Sequence, residues 1–231
     1  SAIPMFTSCC PAWVDYAEKR YHDMLPHLST AKSPQQMQGA MIKTYFADKV
    51  GAKKDKIFNV SVMPCAAKLY ESTRDKHMTA SGVQDYDMVL TTRELAQLIR
   101  EAGIDFNNLP EGQADSFMGA YTGAGTIFGA TGGVMEAALR TAYHTLAGKE
   151  LGPVEYMPAR GLQDVKVAEV NIKGTKIRIA IVHQLGNVDQ VVQKVREELA
   201  AGKTVDELSF HFIEVMACRG GCVAGGGQPY G

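Results

Sequence analysis

The sequence predicts an α/β fold, with two lobes of mainly parallel sheet flanked by helices. Short β-branched runs, such as IFNVSVM and KIRIAIVH, alternate with amphipathic stretches, such as TRELAQLIREAG and NVDQVVQKVREELAAG. This alternation runs twice along the chain, and a polar loop at residues 107–115 separates the two runs. We therefore expect a first lobe over residues 1–118 and a second lobe over residues 119–231, with a cleft between them.

Proline, serine and glycine mark the ends of the helices predicted in the first lobe. Pro11 suits the first turn of PAWVDYAEKRYHDML, because an N–H in that turn has no partner within the helix. Ser33 is a natural N-cap for SPQQMQGAMIKTYFADKVG, and Gly51 suits its C-terminal end. Strands are predicted for IPMFT, IFNVSVM and YDMVLTT, and a further helix for TRELAQLIREAG.

The second lobe is predicted to hold further strands and two helices. The strands are VEYMPAR, VKVAEVNI, KIRIAIVH and LSFHFIEVM, and the KGT between the middle two predicts a hairpin. The helices are GGVMEAALRTAYHTLAG and NVDQVVQKVREELAAG. Because the glycine-rich segment YTGAGTIFGATGG leads into the first of these helices, it can offer backbone N–H groups to an anion.

Composition excludes several classes of function. The chain has 231 residues, of which 45% are hydrophobic and 21% charged, and its net charge is −1. Without a long basic run, binding to nucleic acid or to an anionic membrane is not expected. The sequence contains no apolar stretch long enough for a membrane span, and its start lacks the features of a signal peptide. We expect a cytoplasmic protein, with a periplasmic location as the alternative.

The cysteines carry the strongest chemical signal. Their number is odd, which argues against a disulfide framework. All lie in the proline- or glycine-bearing motifs SCCP, MPCA and CRGGC, and strand-like runs precede Cys9, Cys10, Cys65 and Cys218. In α/β folds, ligands bind beyond the carboxyl ends of strands, so we expect these thiols in one crevice. For any single cysteine, the alternative is a buried free thiol.

Four thiolates can bind zinc or an iron–sulfur cluster. Separations of 55 residues from Cys10 to Cys65 and 153 from Cys65 to Cys218 are unlike paired zinc knuckles and favour a cluster between the lobes. Glycines in CRGGC would allow positive φ and a close backbone approach to such a group. Neighbouring residues of an extended segment point to opposite faces, so one of Cys9 and Cys10 would be spare. A thiol with a pKa of about 8.5 could carry a proton there.

Three segments resemble the signature motifs of FeFe-hydrogenases, in the family's order: TSCCPAWV (7–14), MPCAAKLYE (63–71) and MACRGGCVAGGGQP (216–229). The segments 28–40, 90–106 and 122–143 are also similar to that family. The resemblance spans the chain but leaves out a catalytic-domain segment that the family has before the first motif and an extension after the third.

The resemblance implies reduction of protons and oxidation of dihydrogen at an H-cluster. This group is a 4Fe–4S cluster joined through one cysteine to a two-iron unit with CO, cyanide and a bridging azadithiolate. By resemblance, the cluster ligands are Cys10, Cys65, Cys218 and Cys222, with Cys222 also bridging to the two-iron unit. Cys9 is then the proton donor to the bridging amine.

Further residues take roles only through the resemblance. Lys68 would hydrogen-bond a cyanide, and Ser29 would belong to the proton-exit chain, although a serine there is more often a cap or turn residue. Ala67 stands where many members have a serine that donates to a cyanide, which would change the electronics of the group. The other residues expected to surround the two-iron unit are Met63, Pro64, Gln35, Phe128, Gly129 and Met216.

Partners and alternatives follow from the same resemblance. Electrons would come from a ferredoxin-like or iron–sulfur subunit or domain, and maturation proteins would supply the two-iron unit. The alternatives are a non-catalytic 4Fe–4S relative in iron–sulfur assembly and a hydrogen sensor. Such relatives lack the spare cysteine or the MPC-x-x-K pattern, and this chain retains Cys9, Cys65 and Lys68.

Overall fold

The computed structural model describes residues 1–74 and 78–230. Its α-helices are α1 (Pro11–Arg20), α2 (Pro34–Met41), α3 (Ala47–Val50), α4 (Ala67–Thr73), α5 (Thr92–Glu101), α6 (Gly123–Ile127), α7 (Gly133–Ala147) and α8 (Val188–Ala200). Its strands are β1 (Met5–Phe6), β2 (Val60–Met63), β3 (Met88–Thr91), β4 (Met157–Pro158), β5 (Val165–Ile172), β6 (Thr175–His183) and β7 (Phe212–Met216). In the described part of the chain, every helix is too short or too polar to span a bilayer.

The chain forms two compact units, and both are discontinuous in sequence. Unit 1 comprises Ser1–Ala31 and Gly123–Ala224, and unit 2 comprises Lys32–Thr122 and Gly225–Gly231. This division differs from the expected contiguous lobes 1–118 and 119–231. Strand β1 pairs in parallel with β7, which places the first residues of the chain in unit 1. A hydrogen bond from the N–H of Gly227 to the carbonyl of Pro64, 2.8 Å, holds the last segment in unit 2.

Unit 1 is built on a five-stranded sheet in the order β1-β7-β6-β5-β4. Strand β7 is parallel to both β1 and β6, whereas β5 is antiparallel to β6 and to β4. The predicted hairpin joins β5 to β6 through Lys173 and Gly174, both with positive φ (49° and 92°), as a tight two-residue turn requires. The predicted strand VEYMPAR is ordered as a strand only at β4.

Helices cover both faces of this sheet. On one face, Trp13 of α1 and Val191 of α8 pack with the even-numbered positions of β6, such as Val182. On the other face, Met135 of α7 packs with odd-numbered positions such as Ile181. Alternating residues of a strand point to opposite faces, so the apolar residues of β6 contribute to two cores. The α/β prediction is confirmed, with parallel pairing at the β1-β7-β6 side.

Unit 2 contains a two-stranded parallel sheet of β2 and β3 with helices around it. Ser33 caps α2 by accepting a hydrogen bond from the N–H of Gln36, and the predicted helix passes through a π-helical turn before it ends at Gly51. Thr91 and Glu94 form a reciprocal capping box at the start of α5. The short helix α4 directly follows the MPC motif and was not among the predicted elements.

Candidate metal centre

The thiols of unit 1 follow adjacent parallel strands. Cys9 and Cys10 come after β1, and Cys218 comes after β7, so both segments leave the sheet at the same edge. Thr7 fixes the segment before the cysteine pair: its N–H donates to the carbonyl of Ile213 at 2.9 Å, and its hydroxyl accepts from the N–H of Val215 at 3.1 Å. Parallel pairing thus delivers the predicted ligands Cys10 and Cys218 to one end of unit 1.

The CRGGC turn packs tightly on the loop before α7. Gly220 and Gly221 have φ of 84° and 90°. A Cβ on Gly221 would lie 2.6 Å from the carbonyl oxygen of Gly129. The N–H of Thr131 donates to the carbonyl of Gly220 at 3.1 Å, and that of Val223 donates to the carbonyl of Gly129 at 3.0 Å. Positive φ was predicted correctly, but the group that Gly221 approaches closely is protein backbone.

A buried carboxylate holds the other side of this loop. Glu214 on β7 is fully buried and accepts hydrogen bonds from the N–H groups of Gly132 (2.8 Å) and Met135 (2.7 Å) at the start of α7. Burial raises the pKa of this carboxyl, although the backbone donors oppose that shift. Glu214 thereby connects β7, which leads to Cys218, with the loop that contains Phe128 and Gly129.

In unit 2, Cys65 lies between the end of β2 and the start of α4. Its carbonyl accepts a hydrogen bond from the N–H of Lys68 at 3.3 Å. A Cβ on Gly227 would lie 2.8 Å from the backbone nitrogen of Cys65, so the C-terminal segment approaches this loop closely. The loop therefore presents a thiol and, one helical turn later, the side chain of Lys68.

The Lys68 side chain is part of a buried polar cluster. Its ammonium contacts both carboxylate oxygens of Glu71, at 2.9 and 3.1 Å. The Ser33 hydroxyl donates to Glu71 at 2.8 Å, and the Gln35 amide donates to Glu71 at 3.3 Å and to the carbonyl of Lys68 at 3.2 Å. The Ser61 hydroxyl donates to the Gln35 side-chain oxygen at 2.9 Å. All five side chains belong to buried residues, so hydrogen bonds replace the water that these polar groups have lost.

The remaining predicted residues lie near these two regions of their own units. Met216 is buried at the end of β7, and Phe128 packs against the same core as Cys10. Ser29 accepts a hydrogen bond from the N–H of Ala31, which is the turn role that a serine commonly has. Met63 ends β2, Pro64 follows it, and Ala67 begins α4.

Sequence reasoning missed two buried glutamates of these regions, Glu71 and Glu214. Glu71 lies within the quoted motif MPCAAKLYE, three residues after Lys68, a spacing that brings two side chains together on a helix. That spacing was the available signal. The sequence offers no such signal for Glu214, because a glutamate in a strand can equally well have an exposed side chain.

The candidate ligands are cysteine thiols, which are the residues that hold iron–sulfur clusters in proteins. The five cysteines are thiols that take part in no disulfide; Cys10 is buried and the others are half-buried. Among the described residues, no three histidine, cysteine, aspartate or glutamate side chains group closely enough for one metal ion. The buried ammonium of Lys68 adds a donor for an anionic ligand.

Comparison with known proteins identifies the family. Residues 1–226 match the family described as "iron only hydrogenase large subunit, C-terminal domain". The chain is 51% identical over 227 residues to the periplasmic Fe hydrogenase large subunit of Nitratidesulfovibrio vulgaris. This match covers 98% of the chain and 52% of that protein. It is 35% identical over 232 residues to cytosolic iron-sulfur assembly component 3 of Pongo abelii, covering 98% of this chain and 47% of that protein.

A solved structure shares the fold. The apo FeFe-hydrogenase HydA1 of Chlamydomonas reinhardtii, a variant form, superposes with a TM-score of 0.79 at 36% identity, over 99% of this chain and 62% of that one. The chain spans about half the length of the curated relatives it matches. By its matched residues and its fold, the chain belongs to the iron-only hydrogenase large-subunit family and corresponds to that family's C-terminal domain.

Proposed function

We propose that this chain is the catalytic part of an FeFe-hydrogenase, which interconverts protons and dihydrogen. The observation that carries the proposal is the placement of cysteine thiols after β1, β2 and β7, together with a buried ammonium one helical turn after Cys65. A purely structural set of cysteines would not need the buried ion pair of Lys68 and Glu71, because removing charges from water is costly even when they are paired.

In this proposal, the thiolates of Cys10, Cys65, Cys218 and Cys222 would hold a 4Fe–4S cluster. Cys222 would also hold a two-iron unit that carries CO, cyanide and azadithiolate. When bound, this group supplies the electrons and the open iron position at which protons and dihydrogen interconvert. The residues of the chain then bind it, orient it and move protons.

Cys9 moves the proton. Cys10 has extended backbone geometry, with φ −93° and ψ 108°, so the neighbouring Cys9 side chain points to the opposite face of the segment. A thiol can release and regain a proton near neutral pH, provided that it lies within hydrogen-bond reach of its partner. Ser29 would continue the proton chain, because a hydroxyl that accepts from Ala31 can still donate its own proton.

The other predicted residues shape the space for the two-iron unit. Lys68 would donate to a cyanide, since a charged donor to an anion is among the stronger hydrogen bonds. Residues without ionisable groups would surround the two-iron unit, with Gln35 and Phe128 on the side of its CO ligands. They are Met63, Pro64, Ala67, Gln35, Phe128, Gly129 and Met216.

The proposed reaction indicates the kinds of partner. A ferredoxin-like or iron–sulfur subunit or domain would exchange electrons with the 4Fe–4S cluster, and maturation proteins would insert the two-iron unit. We propose a cytoplasmic location. The periplasm is the alternative, because one relative is named as periplasmic.

Infrared spectroscopy of the anaerobically matured chain tests the proposal. CO and cyanide stretching bands should appear together with hydrogen evolution from a chemical reductant. In the Cys65→Ser variant, iron and acid-labile sulfide should fall and the bands should disappear, because one cluster ligand is lost. A native chain that holds iron and sulfide but shows no such bands would favour the non-catalytic iron–sulfur alternative.

A further inference from the structure

The Lys68–Glu71 pair is buried to an unusual degree for an ion pair on one helix. The two residues are three apart on α4, and their side chains are only 10% and 7% exposed. Pairs at this spacing on an exposed helix stabilise it only slightly. Burying both charges costs solvation that their attraction only partly returns, so stability alone is a weak reason to keep them.

Glu71 is fixed by residues outside its own helix. The Ser33 hydroxyl and the Gln35 amide, both at the start of α2, donate to its Oε2 atom. Gln35 is held in turn by the Ser61 hydroxyl of β2. The hydrogen bonds therefore run from β2 and α2 to the carboxylate, and the carboxylate sets the position of the ammonium.

We propose that Glu71 is a positioning residue for the two-iron unit, acting through Lys68. This inference rests on the proposed function. An ammonium group has three N–H donors, so it can hold a carboxylate and a further acceptor together. With Glu71 in place, the buried Lys68 ammonium is held at a fixed point, from which it can donate to a cyanide ligand. Without Glu71, the buried ammonium loses its charged partner and its fixed orientation.

The test measures binding of the two-iron unit, independently of turnover. Native chain and variants are reconstituted with the 4Fe–4S cluster only and then titrated with a synthetic two-iron complex that carries CO, cyanide and azadithiolate. Infrared band intensity per cluster after desalting gives the apparent affinity. In Glu71→Gln, we expect the affinity to fall about 10–100-fold, as is typical when a residue supporting a metal-site ligand is lost. The cyanide bands of the bound fraction should also shift.

Glu198 provides a matched control in unit 1. It is also a buried glutamate, and it accepts hydrogen bonds from the Lys203 ammonium at 2.9 Å and from the N–H of Ser209 at 2.9 Å. Glu198→Gln should bind the two-iron complex with native affinity and native band positions. A loss in both variants would show a general effect of removing a buried carboxylate and would overturn the proposal.

A second variant covers the case in which Glu71→Gln does not fold. Glu71→Asp keeps the charge, but its side chain is one methylene shorter and cannot hold Ser33, Gln35 and Lys68 together. We expect reduced affinity in this variant while circular dichroism remains native. Native affinity and unshifted cyanide bands in either folded variant would overturn the inference. If the native chain itself binds no two-iron complex, the proposed function fails first and this inference fails with it.

Discussion

Replacing Gly221 by alanine should destabilise the turn that carries Cys218 and Cys222. Gly221 has φ of 90°, and an added Cβ would lie 2.6 Å from the Gly129 carbonyl oxygen and 2.7 Å from the backbone nitrogen of Thr131. These neighbours are backbone atoms, so they cannot move aside by a simple side-chain rotation. Alanine therefore forces the turn away from the loop before α7.

Two costs add at this position. A left-handed backbone conformation costs a residue with a Cβ about 1–2 kcal/mol. Overpacking of a tight contact costs about a further 1–3 kcal/mol. The free energy of unfolding should therefore fall by about 2–5 kcal/mol if both costs apply in full.

Urea unfolding of the cluster-free chain, followed by circular dichroism, measures the effect. Gly174 separates the two costs, because it has φ of 92° but nothing within 4 Å of its added Cβ. Gly174→Ala should therefore lower the free energy of unfolding by about 1–2 kcal/mol only. Gly226→Ala, where the added Cβ also meets nothing within 4 Å, should change it by less than about 0.5 kcal/mol.

Comparing Gly221→Ala with Gly174→Ala shows whether the close backbone approach at Gly221 adds to the cost of positive φ. If Gly221→Ala destabilises the chain no more than Gly174→Ala does, the close backbone approach contributes nothing and the reasoning is refuted. If Gly221→Ala destabilises the chain more than Gly174→Ala does, iron incorporation should fall as well, because Cys218 and Cys222 lie on either side of Gly221.

Three further predictions concern single side chains. Cys9→Ala should retain the CO and cyanide bands but lower hydrogen evolution about 10²–10⁴-fold, since a positioned acid–base group is lost; loss of the bands would instead make Cys9 a ligand. Lys68→Ala should retain the 4Fe–4S cluster, measured as acid-labile sulfide, but lose most CO band intensity; unchanged bands would assign the lysine a structural role. Burial raises the pKa of the Glu198 carboxyl, but hydrogen bonds from Ser209 and Lys203 outweigh it and hold the pKa below the usual value of 4.5. Its stabilising contribution is therefore complete above about pH 4.5 and is lost as the pH falls through the folded-state pKa, so Glu198→Gln should flatten the acid side of a Tm-against-pH curve; an unchanged slope would contradict this.

Much of the local structure could be predicted from the sequence. The N-cap at Ser33, the glycine end at Gly51 and the hairpin at Lys173–Gly174 all depend on a few neighbouring residues, and the structure confirms each of them. The placement of cysteines after strand-like runs could also be predicted from the sequence. Helix propensity, capping and turn chemistry act over short distances along the chain, so a single sequence contains them.

The tertiary structure alone decided which distant segments meet. Pairing of β1 with β7 joins Met5 to Phe212 and moves the first residues of the chain into unit 1, which no local pattern predicted. It also decided that Glu71 and Glu214 are buried, where they hold an ammonium and the start of α7. Whether a polar side chain is buried depends on segments that pack over it from elsewhere in the chain. Only a buried charge has a large desolvation cost, so only the tertiary structure shows which charged side chains need a partner.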